Sequence, residues 1–275
     1  MRRLERRQAA SSEARRTKLL LRENRDLLLT LIEREIRSRY VGSLGGLAWA
    51  LLHPLVLLGL YALLFRTIFQ VRLPGEHSFV EFVAVGLWPW LAFQESVQRG
   101  AQSIRANASL VRKVAFPNEL LVLAAVVATF GIHLLGFVLV LSVLALTGVG
   151  FAVAGMPLAL TGLVALLCAA VAMALLLGAL QVFLPDVEQF LAPLFMVLFY
   201  ATPILYPITL VPPWLQTILA WNPMRYLIEP VRDALIEGAR VPHWTVVFAW
   251  LAAAVATALA LRAFRRLSPH FEDFL

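Results

Sequence analysis

Three long apolar stretches without a formal charge constrain this chain more than any other feature of its sequence. They cover residues 44–65, 120–146 and 157–184. A helix needs about 20 mostly apolar residues to cross the hydrocarbon core of a bilayer. Only 15% of the residues are charged, whereas a soluble domain carries roughly 25%. The sequence therefore predicts an all-α integral membrane protein rather than a soluble helical bundle.

Three further apolar segments bring the predicted number of transmembrane helices to six. They are residues 79–97, a segment that begins near Phe190, and residues 244–261. The first of these gives the weakest signal, because it carries Glu81 and Glu95. An even number of spans places both termini on the same side of the membrane.

Small residues recur every four positions in the fourth predicted span, at Ala170, Ala174 and Gly178. This spacing places them on one face of a helix, where they let a neighbouring helix approach closely. We therefore expect a tight contact between two helices at this face.

The distribution of basic residues predicts the orientation of the spans. Lysine and arginine favour the cytoplasmic side of a membrane. Of the 24 basic residues, 12 lie in residues 1–43, four in residues 98–119 and three after residue 261. The turn between the third and fourth spans holds none. Both termini are therefore predicted to be cytoplasmic.

The chain divides into four parts by composition. Residues 1–16 form a basic tail, 17–43 an amphipathic segment, 44–264 the predicted six-helix domain and 265–275 a short cytoplasmic tail. In the amphipathic segment, apolar residues recur every four positions, which is typical of a helix in the membrane interface. Docking of this helix onto a partner protein is the alternative.

Residues 206–240 are neither apolar enough to span a membrane nor polar enough to form a separate domain. Asn222 and Pro223 predict the start of a helix, since asparagine caps helices well and proline fits the first helical turn. The apolar stretches are too short to cross about 30 Å of hydrocarbon. We expect two short helices here, with a loose surface loop as the alternative.

The sequence contains no pattern of a catalytic or energy-converting site. It has no G-x-x-x-x-G-K-[ST] nucleotide loop and no H-E-x-x-H zinc motif, and it indicates no cofactor, no metal and no nucleic-acid partner. His133, inside the third span, is expected to be a hydrogen-bonded packing residue, with a proton relay as the alternative. These features indicate a channel or permease that a partner drives. A membrane-embedded lipid or sugar transferase is the alternative, but its best candidate pair, Asp186 and Glu188, is more typical of a solvated turn.

Five segments carry a family resemblance, in order along the chain. They are RSRYVGSLGGLAWALLHPL (37–55), FVAVGLWPWLAF (82–93), SIRANASLVRKVAFPNELL (103–121), ATPILYP (201–207) and WNPMRYLIEPVRDAL (221–235). Together these segments resemble the permease subunits of bacterial ABC transporters that export lipid-linked polysaccharides. The likeness is greatest to exporters of O-antigen and wall teichoic acid, and capsule exporters are more distant. In one departure, Pro185 precedes Asp186 where the family often has an arginine.

The resemblance implies a homodimer of six-span subunits in the bacterial inner membrane, joined by two ATPase subunits that bind ATP and magnesium. The cargo would be a polysaccharide on an undecaprenyl diphosphate lipid, moved from cytoplasm to periplasm; teichoic acid, capsule or another lipid or drug substrate are alternatives. Residues 206–240 would form re-entrant outer gate helices. The candidate gate residues are Pro213, Trp214, Trp221, Asn222, Pro223, Arg225 and Arg232.

The resemblance also implies that residues 98–119 carry the helix that couples the permease to its ATPase. Apolar and basic residues alternate here, which suits a short helix inserted into a groove of a partner; a solvated loop is the alternative. The candidate coupling residues are Ser103, Ile104, Arg105, Asn107, Leu110, Val111, Arg112 and Lys113.

Aromatic and arginine side chains are the candidates for contact with cargo. Aromatic rings offer wide apolar faces to sugars, although a belt of aromatic residues at the membrane interface explains each of them as well. Arg37 and Arg39 could bind a diphosphate as bidentate donors, or serve only as positive-inside anchors. The candidate pathway aromatics are Trp49, Tyr61, Phe65, Trp88, Trp90, Phe199, Tyr200 and Tyr206.

Overall fold

Regular structure in the described part of the chain is entirely helical, as the sequence predicts. The computed structural model describes residues 24–39, 46–68, 79–114, 116–146, 151–238 and 243–275. The predicted tail at 1–16 and the start of the amphipathic segment lie outside these residues. The helices are α1 (24–39), α2 (Gly46–Leu63), α3 (Phe79–Ala106), α4 (Ala108–Lys113), α5 (Glu119–Leu146), α6 (Met156–Phe183), α7 (Val187–Ala201), α8 (Pro213–Leu219), α9 (Pro223–Glu237) and α10 (His243–Leu267).

Helices α3, α5 and α6 form the centre of the molecule. Helix α10 packs along α6, and α9 packs against both α6 and α3. Although α3 is rather polar, its residues Val83, Trp88 and Trp90 are at most 1% exposed. A helix surrounded by other helices does not present its surface to lipid, which explains how α3 carries charged residues within its length.

Small residues allow α3 and α6 to approach each other closely, and the prediction of a tight contact is confirmed. A Cβ added at Gly100 of α3 would lie 2.6 Å from the Cβ of Ala174. A Cβ added at Gly178 would lie 3.3 Å from the carbonyl oxygen of Ala101. Ala170, in the same row of α6, is fully buried.

Three helical segments of the described residues are long and apolar enough to cross a membrane. They are Glu119–Leu146, Val153–Phe183 and Trp244–Asp273, and they correspond to the third, fourth and sixth predicted spans. Leu52–Tyr61 and Val187–Ala201 are shorter apolar helices. Six spans therefore remain a prediction, which needs α2, α3 and α7 to cross the membrane as well.

The described part of 206–240 contains two short helices, α8 and α9, rather than a loose loop. Asn222 caps α9, since its Oδ1 accepts a hydrogen bond from the backbone N–H of Met224 at 3.0 Å. Gly238 follows the helix with a φ of 75°, a conformation that glycine adopts without a steric cost. The predicted start of this helix at Asn222 and Pro223 is confirmed.

The C-terminal residues fold back against the body of the protein. Helix α10 ends at Leu267, and the 3-10 turn that follows it buries Phe271 completely. The ring centre of Phe271 lies 5.3 Å from that of Phe264 and 5.8 Å from that of Phe183. The predicted tail, 265–275, is therefore a packed element, because its aromatic side chains find partners on α6 and α10.

Candidate functional site

The predicted coupling segment lies at the end of the molecule where α3 and α10 finish, which we call the basic end. Asn107 separates α3 from α4 and joins three elements. Its side-chain amide donates to the Ser103 carbonyl oxygen at 2.8 Å, and its Oδ1 accepts from Arg34 of α1 at 2.6 Å. Helix α1 is thereby connected to the start of α4.

The basic residues of this segment face outward, whereas most of its apolar residues do not. Arg105, Arg112 and Lys113 are exposed, and Asn107 and Leu110 are half-buried. Three further candidates, Ser103, Ile104 and Val111, are buried. Ile104 and Val111 therefore hold the segment against its own protein, since burial of their apolar surface is favourable, and docking of the segment on an ATPase stays a prediction.

The turn between α6 and α7 is connected to the coupling segment by a polar network. Glu188 accepts hydrogen bonds from Gln102 of α3 and from Gln181 of α6, both at 3.1 Å. Arg105 donates to the carbonyl oxygen of Gln181 at 3.4 Å. The sequence analysis took Glu188 for part of a solvated turn and did not predict that it connects α6 to α3. Gln181, a polar residue inside an apolar stretch, was the signal that could have indicated it.

A second polar cluster joins α1 to α3 and α5. Arg39 donates to the Thr129 hydroxyl at 2.7 Å and lies 3.3 Å from a carboxylate oxygen of Glu95. His133 Nε2 is 2.7 Å from the other oxygen of Glu95. Arg99, which lies on the same helix as Glu95, is 3.8 Å from the oxygen that Arg39 approaches. His133 is therefore a hydrogen-bonded packing residue, as the sequence predicts.

The two arginines predicted to bind a lipid diphosphate occupy different environments. The Arg39 side chain is only 10% exposed and is already paired with Glu95, so its predicted role as a phosphate ligand does not fit the structure. The Arg37 side chain is 73% exposed and lies 2.6 Å from Glu33 on the same helix face. An exposed pair of this kind is weak, so Arg37 can exchange its partner for an anionic ligand.

Four of the predicted pathway aromatics form one cluster between α2, α3 and α7. The rings of Trp90 and Phe199 are 5.7 Å apart, those of Tyr61 and Phe199 are 6.2 Å apart, and Tyr200 is 5.2 Å from Phe199. Sequence reasoning missed a further member, Phe195, whose ring lies 6.3 Å from Trp90. Tyr200 is 55% exposed, whereas Trp90 is 1% exposed.

The other four aromatic candidates lie apart from this cluster. Trp49 is 61% exposed on α2, and Phe65 stacks on Phe79 at 5.0 Å. Trp88 is buried and donates to the carbonyl oxygen of His133 at 3.0 Å, so it holds α3 against α5. The Tyr206 hydroxyl donates to the Tyr200 carbonyl oxygen at 2.7 Å. Trp88 and Phe65 are packing residues in this arrangement.

The predicted gate residues fall into an exposed group, which extends from the start of α8 to the start of α9, and a packed group, which consists of Asn222, Arg225 and Arg232. Pro213, Trp214 and Trp221 are exposed, the last by 86%, as is Pro223. The side-chain amide of Asn222 donates to the Ala201 carbonyl oxygen at 3.0 Å and to the Thr202 hydroxyl at 2.9 Å, and Arg225 pairs with Glu229 at 2.7 Å.

Arg232 is the most enclosed of the gate candidates, with an exposure of 5%. Its Nη1 donates to the Pro203 carbonyl oxygen at 2.6 Å, and its Nε lies 3.2 Å from Asp233. Its guanidinium carbon lies 4.3 Å from the centre of the Phe82 ring. The side chain therefore joins α9 to the chain that follows α7 and to the first turn of α3.

Three helical segments of the described residues that are long and apolar enough to cross a membrane indicate an integral membrane protein. The comparison with known sequences identifies the family: the chain belongs to the ABC-2 type transporters, whose sequence pattern matches residues 26–236.

Several curated relatives are similar to the chain over most of its length. It is 28% identical over 251 residues to the O-antigen export system permease protein RfbA of Klebsiella pneumoniae, covering 91% of this chain and 95% of the relative. Identity to the RfbA protein of Myxococcus xanthus is 32% over 222 residues, or 79% and 83% of the two chains. The polysialic acid transport protein KpsM of Escherichia coli is 27% identical over 213 residues, or 76% and 80%.

Proposed function

We propose that this chain is the permease subunit of an ABC exporter that carries O-antigen or capsular polysaccharide across a membrane. The observation that carries the proposal is its similarity, over most of the chain, to relatives named as O-antigen and polysialic acid export proteins. The sequence has no nucleotide loop of its own, so a separate ATPase subunit supplies the energy, and that subunit binds ATP and magnesium.

The same proposal covers the composition and orientation of the complete transporter. Two copies of the chain and two ATPase subunits form the transporter in the bacterial inner membrane, with six spans in each copy and both termini in the cytoplasm. The basic end is then cytoplasmic, in keeping with the preference of lysine and arginine for that side. The cargo is a polysaccharide linked to undecaprenyl diphosphate, and Arg37 is the residue that meets the diphosphate at the cytoplasmic rim.

Helix α3 is the element that can carry movement from the ATPase to the outer side. Its 28 residues correspond to about 42 Å at 1.5 Å per residue, which exceeds a hydrocarbon core of about 30 Å. One end of α3 leads through Asn107 into α4, and the other end holds Phe82 against Arg232 of α9. A shift of α4 on ATP binding therefore reaches the gate helices α8 and α9 through a single helix.

The test of this function is the export of polysaccharide by cells that lack the chain. We expect lipid-linked polysaccharide to accumulate inside such cells and surface polysaccharide to disappear. The intact chain should restore export, and a variant with both Arg112→Ala and Lys113→Ala should not, because its coupling surface has lost its charge. Unchanged surface polysaccharide in the deletion strain would overturn the proposal.

A further inference from the structure

The short helix α4 has little to hold it in place by itself. It is six residues long, and an isolated helix of fewer than about 12 residues is marginal in water. Asn107 stands at its N-cap position, but its side chain bonds to Arg34 and to the Ser103 carbonyl oxygen instead of capping the helix. The position of α4 therefore depends on the surfaces that it packs against.

The C-terminal 3-10 turn, Ser268–Asp273, is one of those surfaces, since it contacts α4 as well as the end of α6. Val111 of α4 is 3% exposed, and Phe271 of the turn is fully buried. The ring of Phe271 is fixed between Phe264 and Phe183. The turn is thus anchored firmly on α6 and α10 at the place where it meets α4.

A second contact, between α10 and α5, holds the chain just after α4. Arg265, in the last turn of α10, lies 2.8 Å from a carboxylate oxygen of Glu119, the first residue of α5. Glu119 is 8% exposed. The chain between α3 and α5 is therefore held at α4 and again at Glu119 by the C-terminal end of the protein.

We propose that the C-terminal turn is part of the surface that docks the ATPase subunit, with Phe271 as the positioning residue that holds α4 where the ATPase can reach it. The proposal rests on the proposed function of α4 as the coupling helix. The turn places exposed Glu272, Asp273 and Phe274 at the same end as the exposed Arg112 and Lys113. This surface of mixed charge with an exposed aromatic ring suits a protein partner, because aromatic residues are enriched at protein interfaces.

The test is a site-specific crosslink between α4 and the ATPase in the assembled transporter. Cys168 is the only cysteine, so Cys168→Ala followed by Ser109→Cys places a single thiol on an exposed position of α4. In this background we expect Phe271→Ala to lower both crosslinking and polysaccharide export by about fivefold to thirtyfold, while the two subunits still co-purify. Phe271→Leu should restore most of both, and Asp26→Asn, which changes an exposed carboxylate of α1 outside α4 and the turn, should change neither.

A milder variant covers the case in which Phe271→Ala prevents folding. Phe274→Ala removes a ring that lies 4.9 Å from Phe183 and is 58% exposed, and it should lower crosslinking by about twofold to threefold. Wild-type crosslinking in every folded variant of Phe271 and Phe274 would overturn the inference. If Arg112→Ala with Lys113→Ala still abolishes export in that event, only the role of the turn is wrong. If that pair also has no effect, the coupling function of α4 itself is wrong.

Discussion

The guanidinium of Arg232 lies against the face of Phe82, with 4.3 Å between its central carbon and the ring centre. Phe82 belongs to the first turn of α3, and Arg232 lies in the middle of α9, so this contact joins α9 to the long central helix. A cation over an aromatic ring gains about 2 kcal/mol when the pair is shielded from water. The contact is therefore a specific connection between the two helices.

Substitution of Arg232 should uncouple the gate helices from α3. Arg232→Ala removes the donor to the Pro203 carbonyl oxygen and the ion pair with Asp233, and we expect about 3–5 kcal/mol of lost stability together with lost export. Arg232→Lys keeps the charge but not the planar group, so export should still fall while stability falls less. Thermal unfolding in lipid nanodiscs and a surface polysaccharide assay measure the two effects. Arg225→Lys is the control, and a wild-type level of export in Arg232→Lys would contradict the coupling.

Gly155 is expected to tolerate no larger residue. A Cβ at this position would overlap the carbonyl oxygen of Ala234 in α9, and it would lie 2.6 Å from the carbonyl carbon. Both are backbone atoms that cannot rotate away, so Gly155→Ala must displace α9 from the start of α6. We expect a loss of about 1–3 kcal/mol, the usual cost of overpacking.

The matched control for this prediction is Gly131→Ala in α5, where an added Cβ meets no atom within 4 Å. Alanine is more favourable than glycine in a helix by about 0.8–1.0 kcal/mol, so this variant should be as stable as the parent or more stable. Thermal unfolding of both variants, side by side, gives the comparison. Equal stability of the two would show that α9 does not pack on Gly155 as described.

Arg39 and Glu95 should behave as a coupled pair that attaches the end of α1 to the helical bundle. Arg39→Ala leaves Glu95 and the Thr129 hydroxyl without this donor, and Glu95→Gln weakens the bond to His133 as well. In a double-mutant cycle we expect a coupling energy of about 0.5–3 kcal/mol, as for residues that share one network. Arg37→Ala, which removes an exposed arginine of the same helix, should leave stability almost unchanged. Additive effects of Arg39→Ala and Glu95→Gln would rule out a direct pair.

Local patterns predicted the helices of this protein far better than they predicted its polar contacts. Apolar runs indicate α5, α6 and α10 because a span of about 20 apolar residues is a property of one continuous segment. The Asn222 cap is equally local, since Asn222 bonds to Met224, two residues further on. Arg39 is different, since its partner Thr129 is 90 positions away, and no local pattern indicates that it is buried. The same holds for Phe271, whose burial depends on rings from α6 and α10.

The coupling segment shows what a mixture of apolar and basic residues leaves undecided. Ile104, Leu110 and Val111 among basic residues resemble the apolar face of a helix that awaits a partner. In the structure, Ile104 and Val111 already have their partner within the chain. Sequence alone gives the amphipathic pattern but not which protein the apolar face contacts.

The aromatic cluster separates residues that hold the fold from residues that can meet the cargo. Trp90 is 1% exposed and contacts Phe199, Phe195 and Phe93, so Trp90→Ala should cost about 3–5 kcal/mol as a buried aromatic truncation. Tyr200 is 55% exposed, so Tyr200→Ala should cost less than about 1 kcal/mol. If the exposed ring contacts sugar, however, Tyr200→Ala should slow export severalfold.

The comparison of stability with export distinguishes the two roles. Trp90→Phe keeps an aromatic ring in the cluster, and it should recover most of the stability and export lost in Trp90→Ala. Tyr200→Phe retains the ring face and should export better than Tyr200→Ala, because sugars pack on the ring rather than on the hydroxyl. Trp49→Ala, an exposed aromatic outside the cluster, is the control and should alter neither quantity. If Tyr200→Ala exports as fast as Trp49→Ala, the exposed side of the cluster does not face the cargo, and the cluster serves only to pack α3 against α7.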